Sequence, residues 1–140
     1  MIKLLQKKII LPVLCCFQGI AMLTAQTTTQ TINSNLSNDQ RVREFTMESV
    51  KGTPSLIKMK TEGETLFLRN TPKFLQSTLG LGVATTFVHE GTTRATGGLQ
   101  VDVFQQYNNK IKVEHGVFKA ISKNNIVQGF TAEYYNLASI

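Results

Sequence analysis

The sequence has 140 residues, of which 41% are hydrophobic and 17% are charged. This length predicts one small domain, and this balance is typical of a globular chain and excludes a wholly disordered one. The formal net charge is +6 at pH 7, but Lys3, Lys7 and Lys8 supply half of it, and no basic patch with interleaved aromatic residues follows. The charge pattern therefore predicts no nucleic-acid partner.

Residues 1–25 have the pattern of a secretory signal peptide. Lysines precede an apolar run over residues 9–23, and Ala25 supplies a small residue at the cleavage position, with Ala21 as an alternative. The run is shorter than the roughly 20 residues that a membrane-spanning helix needs. We therefore expect a secreted or periplasmic protein without a stable membrane anchor, although a short anchor is the alternative interpretation.

Both cysteines, Cys15 and Cys16, lie in this segment. After cleavage at Ala25 the chain would contain no disulfide, no thiol nucleophile and no cysteine zinc site. Lipid modification of Cys15 is a further alternative, but the apolar residues on both sides of it are more typical of the core of a signal peptide.

The next part of the chain predicts a leader, a helix and short extended segments. Residues 26–35 are rich in Thr, Gln and Asn and are interpreted as a flexible leader. A capping box and a modest apolar stripe predict a helix over residues 37–50, ended by Gly52 and Pro54. Extended segments are expected at residues 56–60 and 65–69.

Residues 71–79 predict a second helix. Thr71 is placed as its N-cap, Pro72 as its first helical residue, and Gly80 just past its end. The apolar residues Phe74, Leu75 and Leu79 are spaced to face one core.

From residue 83 onward the pattern is typical of short strands. We expect strands over residues 83–90, 99–107, 111–121 and 126–135. The first gap is a loop rich in Gly and Thr over residues 91–98, and turns follow at Asn108–Asn109 and Lys123–Asn125. Strands joined by such short turns are antiparallel neighbours.

The alternation within these strands predicts which residues share a face. Leu99, Val101 and Val103 fall on one face, opposite Gln100, Asp102 and Gln106, and the following strand places Ile111, Val113, Val117 and Ile121 together. An apolar face needs a cover, and the two preceding helices are available for it. The sequence therefore predicts an α+β fold, with an antiparallel meander and two short helices packed on one face.

Residues 98–135 resemble the fungalysin/thermolysin propeptide domain of secreted zinc metallopeptidase precursors, and the whole domain would cover residues 36–140. The resemblance is carried by a strand, a turn and the start of the next strand: Phe104, Gln105, Gln106, Tyr107, Ile111, Val113 and Gly116. Lys110 and Lys112 stand where that family usually has Gly and Pro, and His115 replaces a Gly. Because of these departures, the turn between the two strands is expected to be less tight than in that family.

The resemblance implies a non-catalytic module that helps a peptidase to fold and inhibits it until the propeptide is removed. The partner would be a zinc metallopeptidase catalytic domain, in cis or in trans, so that the chain would be a truncated precursor or a stand-alone module. The residues that carry the resemblance are the candidates for partner contact. The alternative is a secreted binding or adhesion module that pairs an exposed sheet edge with another chain.

The sequence offers little catalytic chemistry. His89-Glu90-Gly91-Thr92-Thr93 begins like the zinc-peptidase motif His-Glu-x-x-His, but Thr93 occupies the second histidine position, and His115 is the only other histidine. We therefore expect no enzyme, no metal and no cofactor. One of the glutamines Gln105 and Gln106 is predicted to point into the packed side of the sheet and to form local hydrogen bonds.

Overall fold

A computed structural model describes residues 30–135 of the chain. The predicted signal peptide, its cleavage site at Ala25 and the first part of the predicted leader lie outside the described residues. So do residues 136–140.

The described residues form a six-stranded antiparallel sheet and two short helices, which confirms the predicted α+β fold. Residues 30–38 are helical and are called α1, and α2 spans Thr71–Thr78. The strands are β1 Val42–Glu48, β2 Thr53–Met59, β3 Thr85–Arg94, β4 Leu99–Asn108, β5 Ile111–Lys123 and β6 Ile126–Glu133. Their order is β1-β2-β6-β5-β4-β3, so the last four strands form a meander and β6 joins it to the β1/β2 hairpin.

The helix predicted over residues 37–50 is wrong, because α1 ends at Asn38 and β1 follows. The carboxylate of Asp39 accepts a hydrogen bond from the backbone N–H of Arg41 at 2.9 Å and pairs with its guanidinium at 2.6 Å. A local bond of this kind turns the chain instead of starting a helix.

The helix lies instead in the predicted leader, so the prediction of a flexible segment is wrong for residues 30–35. Ile32 and Leu36 are 1% and 0% exposed. They stand four residues apart and therefore share one helix face, which packs into the core. Because the surrounding residues are polar, the composition of this segment does not indicate a buried helix face.

The prediction of the second helix is confirmed. Pro72 lies in the first turn of α2, and Gly80 follows its end with φ +61°, a conformation that glycine adopts without strain. The N-cap is Asn70, not Thr71, because a 3-10 turn over Leu68–Asn70 leads directly into the helix.

The extended segments are confirmed only in part. β2 contains most of the segment expected at residues 56–60. The one expected at residues 65–69 is wrong in most of its length, because it contributes a single bridge, from Phe67 to Ile126, before the 3-10 turn. β3 continues to Arg94, through the first part of the predicted loop.

Both predicted turns of the meander are confirmed as two-residue hairpin loops. Asn109 and Lys110 have φ values of 50° and 67°, and Asn124 and Asn125 have values of 52° and 63°. Positive φ at both central residues gives a turn whose twist matches that of the strands. The turn at Lys110 is therefore tight although glycine is absent from it.

The face covered by the helices is the opposite of the one predicted. Asp102, Phe104 and Gln106 on β4 are 1%, 3% and 0% exposed, whereas Val101 and Val103 are only partly buried. On β5 the same reversal buries aromatic and small residues and leaves Ile111 72% exposed. Aromatic rings bury more apolar surface than valines do, so the phenylalanines determine which face turns inward.

The core lies between this face and the two helices. Its buried apolar residues are Ile32, Leu36, Ile57, Met59, Leu66, Phe74, Leu75, Leu79, Leu81, Phe87, Phe104, Phe118, Ala120, Val127, Phe130 and Tyr134. Phe118 lies at its centre, with its ring centroid 5.2 Å from Phe87 and 5.0 Å from Tyr134. Within residues 30–135, no helix combines the length and the apolar character that a membrane span needs.

Candidate functional site: a cleft with a histidine–aspartate pair

A cleft of about 750 Å³ opens beside the apolar core. It lies between the strands β3 and β4, the 3-10 turn before α2, and the hairpin between β5 and β6. Its lining residues are Phe67, Leu68, Arg69, Pro72, His89, Thr92, Gln100, Asp102, Phe104, Asn124 and Asn125. This volume falls within the range of small-molecule sites, which are concave and mostly apolar with a few polar groups.

Backbone hydrogen bonds hold the wall of the cleft opposite β3 and β4. The N–H of Leu68 donates to the carbonyl of Asn125, and the N–H of Val127 donates to the carbonyl of Leu66, both at 2.8 Å. The guanidinium of Arg69 lies 5.5 Å from the ring centroid of Phe67. The turn is therefore fixed to the hairpin, and it places a cation and an aromatic ring at the cleft.

Asp102 forms the polar base of the cleft. Its carboxylate accepts hydrogen bonds from three side chains: Thr92 Oγ1 at 2.5 Å, Gln100 Nε2 at 2.8 Å and His89 Nε2 at 2.9 Å. The residue is 1% exposed, and a buried carboxylate requires such partners because it has lost its contact with water.

These contacts act on the pKa of Asp102 in opposite directions. Burial raises it, but the hydrogen bonds from Thr92, Gln100 and His89 together outweigh burial, so the pKa of the carboxyl lies below its ordinary value of 3.8. Asp102 is consequently ionised at neutral pH and accepts hydrogen bonds only.

The ionised carboxylate determines the orientation of the His89 ring. Because Asp102 cannot donate, the proton between them belongs to Nε2 of His89, which also lies 3.1 Å from Thr92 Oγ1. In the neutral imidazole, Nδ1 then carries the lone pair, and no hydrogen bond occupies it among residues 30–135. His89 is a lining residue of the cleft and its side chain is 47% exposed.

A β-bulge brings the two β3 residues of this network together. His89 pairs with Phe104, but Gly91 pairs with Val103, so that the register shifts between them. Side chains on the same face of a regular strand are an even number of residues apart. His89 and Thr92 are three residues apart, so without the bulge they would lie on opposite faces. The irregularity therefore re-aims Thr92 toward the carboxylate.

The structure places only one of the sequence-predicted contact candidates, Phe104, in the cleft. Gln105 donates to the carbonyls of Val113 and Gly116 at 2.6 and 2.9 Å, where four residues of β5 bulge opposite Gln106. Gln106 donates to the carbonyl of Tyr135 at 2.7 Å and accepts from its N–H at 3.1 Å. Both glutamines are therefore buried and hydrogen-bonded, but Gln106, on the packed side of the sheet, bonds to a residue 29 positions away and not locally as predicted.

The other candidates lie on the surface hairpin between β4 and β5. The hydroxyl of Tyr107 donates to Glu90 at 3.0 Å, Val113 is half-buried, and Ile111 is exposed. His115, which replaces a family glycine, has φ +60°, so it occupies a conformation that glycine favours.

The sequence reasoning missed most of the cleft. It singled out His89 only as half of a zinc motif, and it assigned Asp102 and Gln100 to the uncovered face. The one signal in the sequence is the pattern of β4, where polar residues alternate with valines. The alternation defines a polar face, but it does not show that the helices cover that face. Within the described residues, no three Cys, His, Asp or Glu side chains are grouped as metal ligands would be.

Gly116 serves the packing of Gln106, which gives a testable prediction. A Cβ at position 116 would stand 2.6 Å from Gln106 Oε1 and 2.8 Å from its Cβ. We expect Gly116→Ala to lower the free energy of unfolding by about 1–3 kcal/mol, because Gln106 must move and lose its bonds to Tyr135. Urea unfolding followed by circular dichroism measures this, and the chain contains no Trp for fluorescence.

The matched control is Gly82→Ala. A Cβ there meets nothing within 4 Å, so no loss of stability is expected. Equal stability of the two variants would contradict the packing role of Gly116.

Comparison with known proteins gives no match: no protein-family model, curated protein or solved structure matches the chain.

Proposed function

We propose that the chain is a small-molecule-binding domain and that the cleft beside β3 and β4 is its binding site. The observation that carries the proposal is the buried Asp102 carboxylate, which holds His89 by a 2.9 Å hydrogen bond in the wall of a cleft of about 750 Å³. A buried carboxylate that requires three hydrogen-bond donors adds little to the stability of a fold, because the cost of removing its charge from water offsets those bonds. A preorganised polar group at a concave surface is, in contrast, what ligand recognition requires.

The lining defines the chemistry of the ligand. Phe67, Pro72 and Phe104 offer an apolar surface, and Arg69 offers a cation that forms no ion pair within residues 30–135. The carboxylate of Asp102 already accepts hydrogen bonds from three donors. It is therefore not the group that binds the ligand. The cleft therefore fits an apolar, ring-sized molecule that carries an acidic or strongly electronegative group.

Binding of the dye anilinonaphthalene sulfonate, which has this chemistry, tests the proposal. We expect saturable binding with enhanced fluorescence, and an affinity at least about tenfold lower in Arg69→Ala, because a charge-assisted contact contributes about 1.5–3 kcal/mol. Dye titrations at equal protein concentration give both dissociation constants.

Arg43→Ala is the matched control, because Arg43 is exposed on β1, at the opposite edge of the sheet from β3. Its affinity for the dye should equal that of the unchanged protein. Binding that does not saturate, or that weakens equally in the two arginine variants, would contradict a specific site in the cleft.

The resemblance to propeptide domains supports a second proposal, a chaperone and inhibitor of a zinc metallopeptidase. It would act through the hairpin between β4 and β5, where Ile111 is 72% exposed. Inhibition of thermolysin-like peptidases by the purified chain, together with the yield of their refolding, tests it. The alternative adhesion module would use β1 or β3, the edge strands of the sheet.

A further inference from the structure

We propose that His89 acts as a general base and removes a proton from the molecule bound in the cleft, with Asp102 as its positioning residue. This inference rests on the proposed binding function and extends it from binding to chemistry.

The two nitrogens of the His89 ring have different environments, and this difference carries the inference. Nε2 is fixed between Asp102 Oδ1 at 2.9 Å and Thr92 Oγ1 at 3.1 Å. Nδ1 has no hydrogen-bond partner among the described residues. A ring that served packing alone would need no buried carboxylate, whereas a base needs one nitrogen anchored and the other free to accept.

A counter-charge for the product of the transfer is already in place beside the ring. When Nδ1 accepts a proton, the ring becomes an imidazolium whose Nε2–H already points at the ionised Asp102. The ring centroid of Phe104 lies 5.3 Å from that of His89, and Asp102 is 1% exposed. The carboxylate thus stabilises the charge that forms and keeps the correct tautomer.

The charged groups around His89 define the class of substrate. Asp102 on β4 and Arg69 on the 3-10 turn are the other ionisable residues that line the cleft, while Asn124 and Asn125 on the hairpin are neutral. A carbon acid next to a carbonyl suits this arrangement. Its C–H bond breaks, the proton goes to Nδ1, and the electron pair moves onto the carbonyl oxygen, where the cation of Arg69 favours the negative charge.

Elimination of nitrobenzisoxazole is the test, because this probe reports base catalysis without knowledge of the natural substrate. The base takes the ring C–H proton, the N–O bond breaks, and a nitrile and a coloured phenolate form. We expect the protein to accelerate the reaction over buffer, and His89→Gln and His89→Ala to lose about 100-fold or more of the rate. His115→Asn, which removes the other imidazole and tolerates positive φ, should keep it.

The positioning role of Asp102 has its own readouts. Asp102→Asn should lower the elimination rate by at least about tenfold and change its pH profile. Nitrogen NMR of the histidine ring should show the proton on Nε2 in the unchanged protein and a mixture of tautomers in the variant. A purely structural Asp102 would leave the tautomer unchanged.

The outcomes separate the two proposals. Arg69-dependent dye binding with an elimination rate that is equal in the unchanged protein and in His89→Gln would overturn the general base and leave the binding site standing. The absence of saturable dye binding would overturn both.

Discussion

Replacing Phe118 with alanine is expected to lower the free energy of unfolding by about 3–5 kcal/mol. The side chain is 0% exposed, and its ring contacts those of Phe87, Phe130 and Tyr134 at centroid distances of 5.2, 6.4 and 5.0 Å. Truncation removes the burial of a whole ring and three aromatic contacts. It also leaves a cavity in the core between the sheet and the helices, and β5 cannot move to fill it without breaking its pairing with β4 and β6.

A loss of this size is a large part of the 5–15 kcal/mol that stabilise a typical domain. Urea unfolding followed by circular dichroism should therefore show a much lower midpoint, with the same dependence on urea. Ile111→Ala on the same strand is the control. Its side chain is 72% exposed, and the expected change stays within about 0.5 kcal/mol. A loss below about 1 kcal/mol in Phe118→Ala would contradict the placement of this ring at the centre of the packed core.

The turns and the second helix could be predicted because single residues determine them locally. Pro72 and Gly80 mark the two ends of α2, and Asn109 and Asn124 stand in the two hairpin loops with positive φ. Each of these residues restricts its own backbone, so that no knowledge of the tertiary structure is required.

The first helix could not be placed from the sequence because a local signal competed with tertiary contacts. Residues 37–50 contain a capping pattern, but β1 is fixed by its pairing with β2, which involves Phe45 and Ile57. α1 depends on the burial of Ile32 and Leu36, and only the folded core reveals that burial. Tertiary contacts thus override local preference at both elements.

The site could not be predicted because its residues meet through one bulge and a turn. Alternation along β3 separates His89 from Thr92, and only the register shift after His89 unites them. Arg69 arrives from a 3-10 turn more than thirty residues away from Gln100 in the sequence. A period of two residues predicts that β4 has two faces, but it does not say which face the helices cover.

Replacing Asp102 with asparagine is expected to change the pH dependence of stability more than any other single substitution in the cleft. The pKa of Asp102 in the folded protein lies below its ordinary value of 3.8, so the unfolded chain binds the proton at a higher pH than the folded one. The stability that the carboxylate contributes is therefore complete above about pH 4 and is lost as the pH falls through the folded-state pKa. At neutral pH the variant should be less stable by about 1–3 kcal/mol, because an amide replaces the acceptor of three donors.

Urea unfolding at a series of pH values from neutral to about pH 3 measures both effects. The carboxyls of Asp39 and Glu90 also have lowered pKa values, caused by Arg41 and by Lys112 respectively, and they titrate in both proteins. The difference between the two stability curves consequently isolates Asp102, and it should shrink below about pH 4 as the carboxylate of the unchanged protein takes up its proton. Glu90→Gln, which changes an exposed carboxylate on the outer side of the same sheet, should shift the curve less. Curves that stay parallel down to pH 3 would mean that Asp102 is not held as an ionised acceptor, and that His89 lacks the anchor on which its proposed chemistry depends.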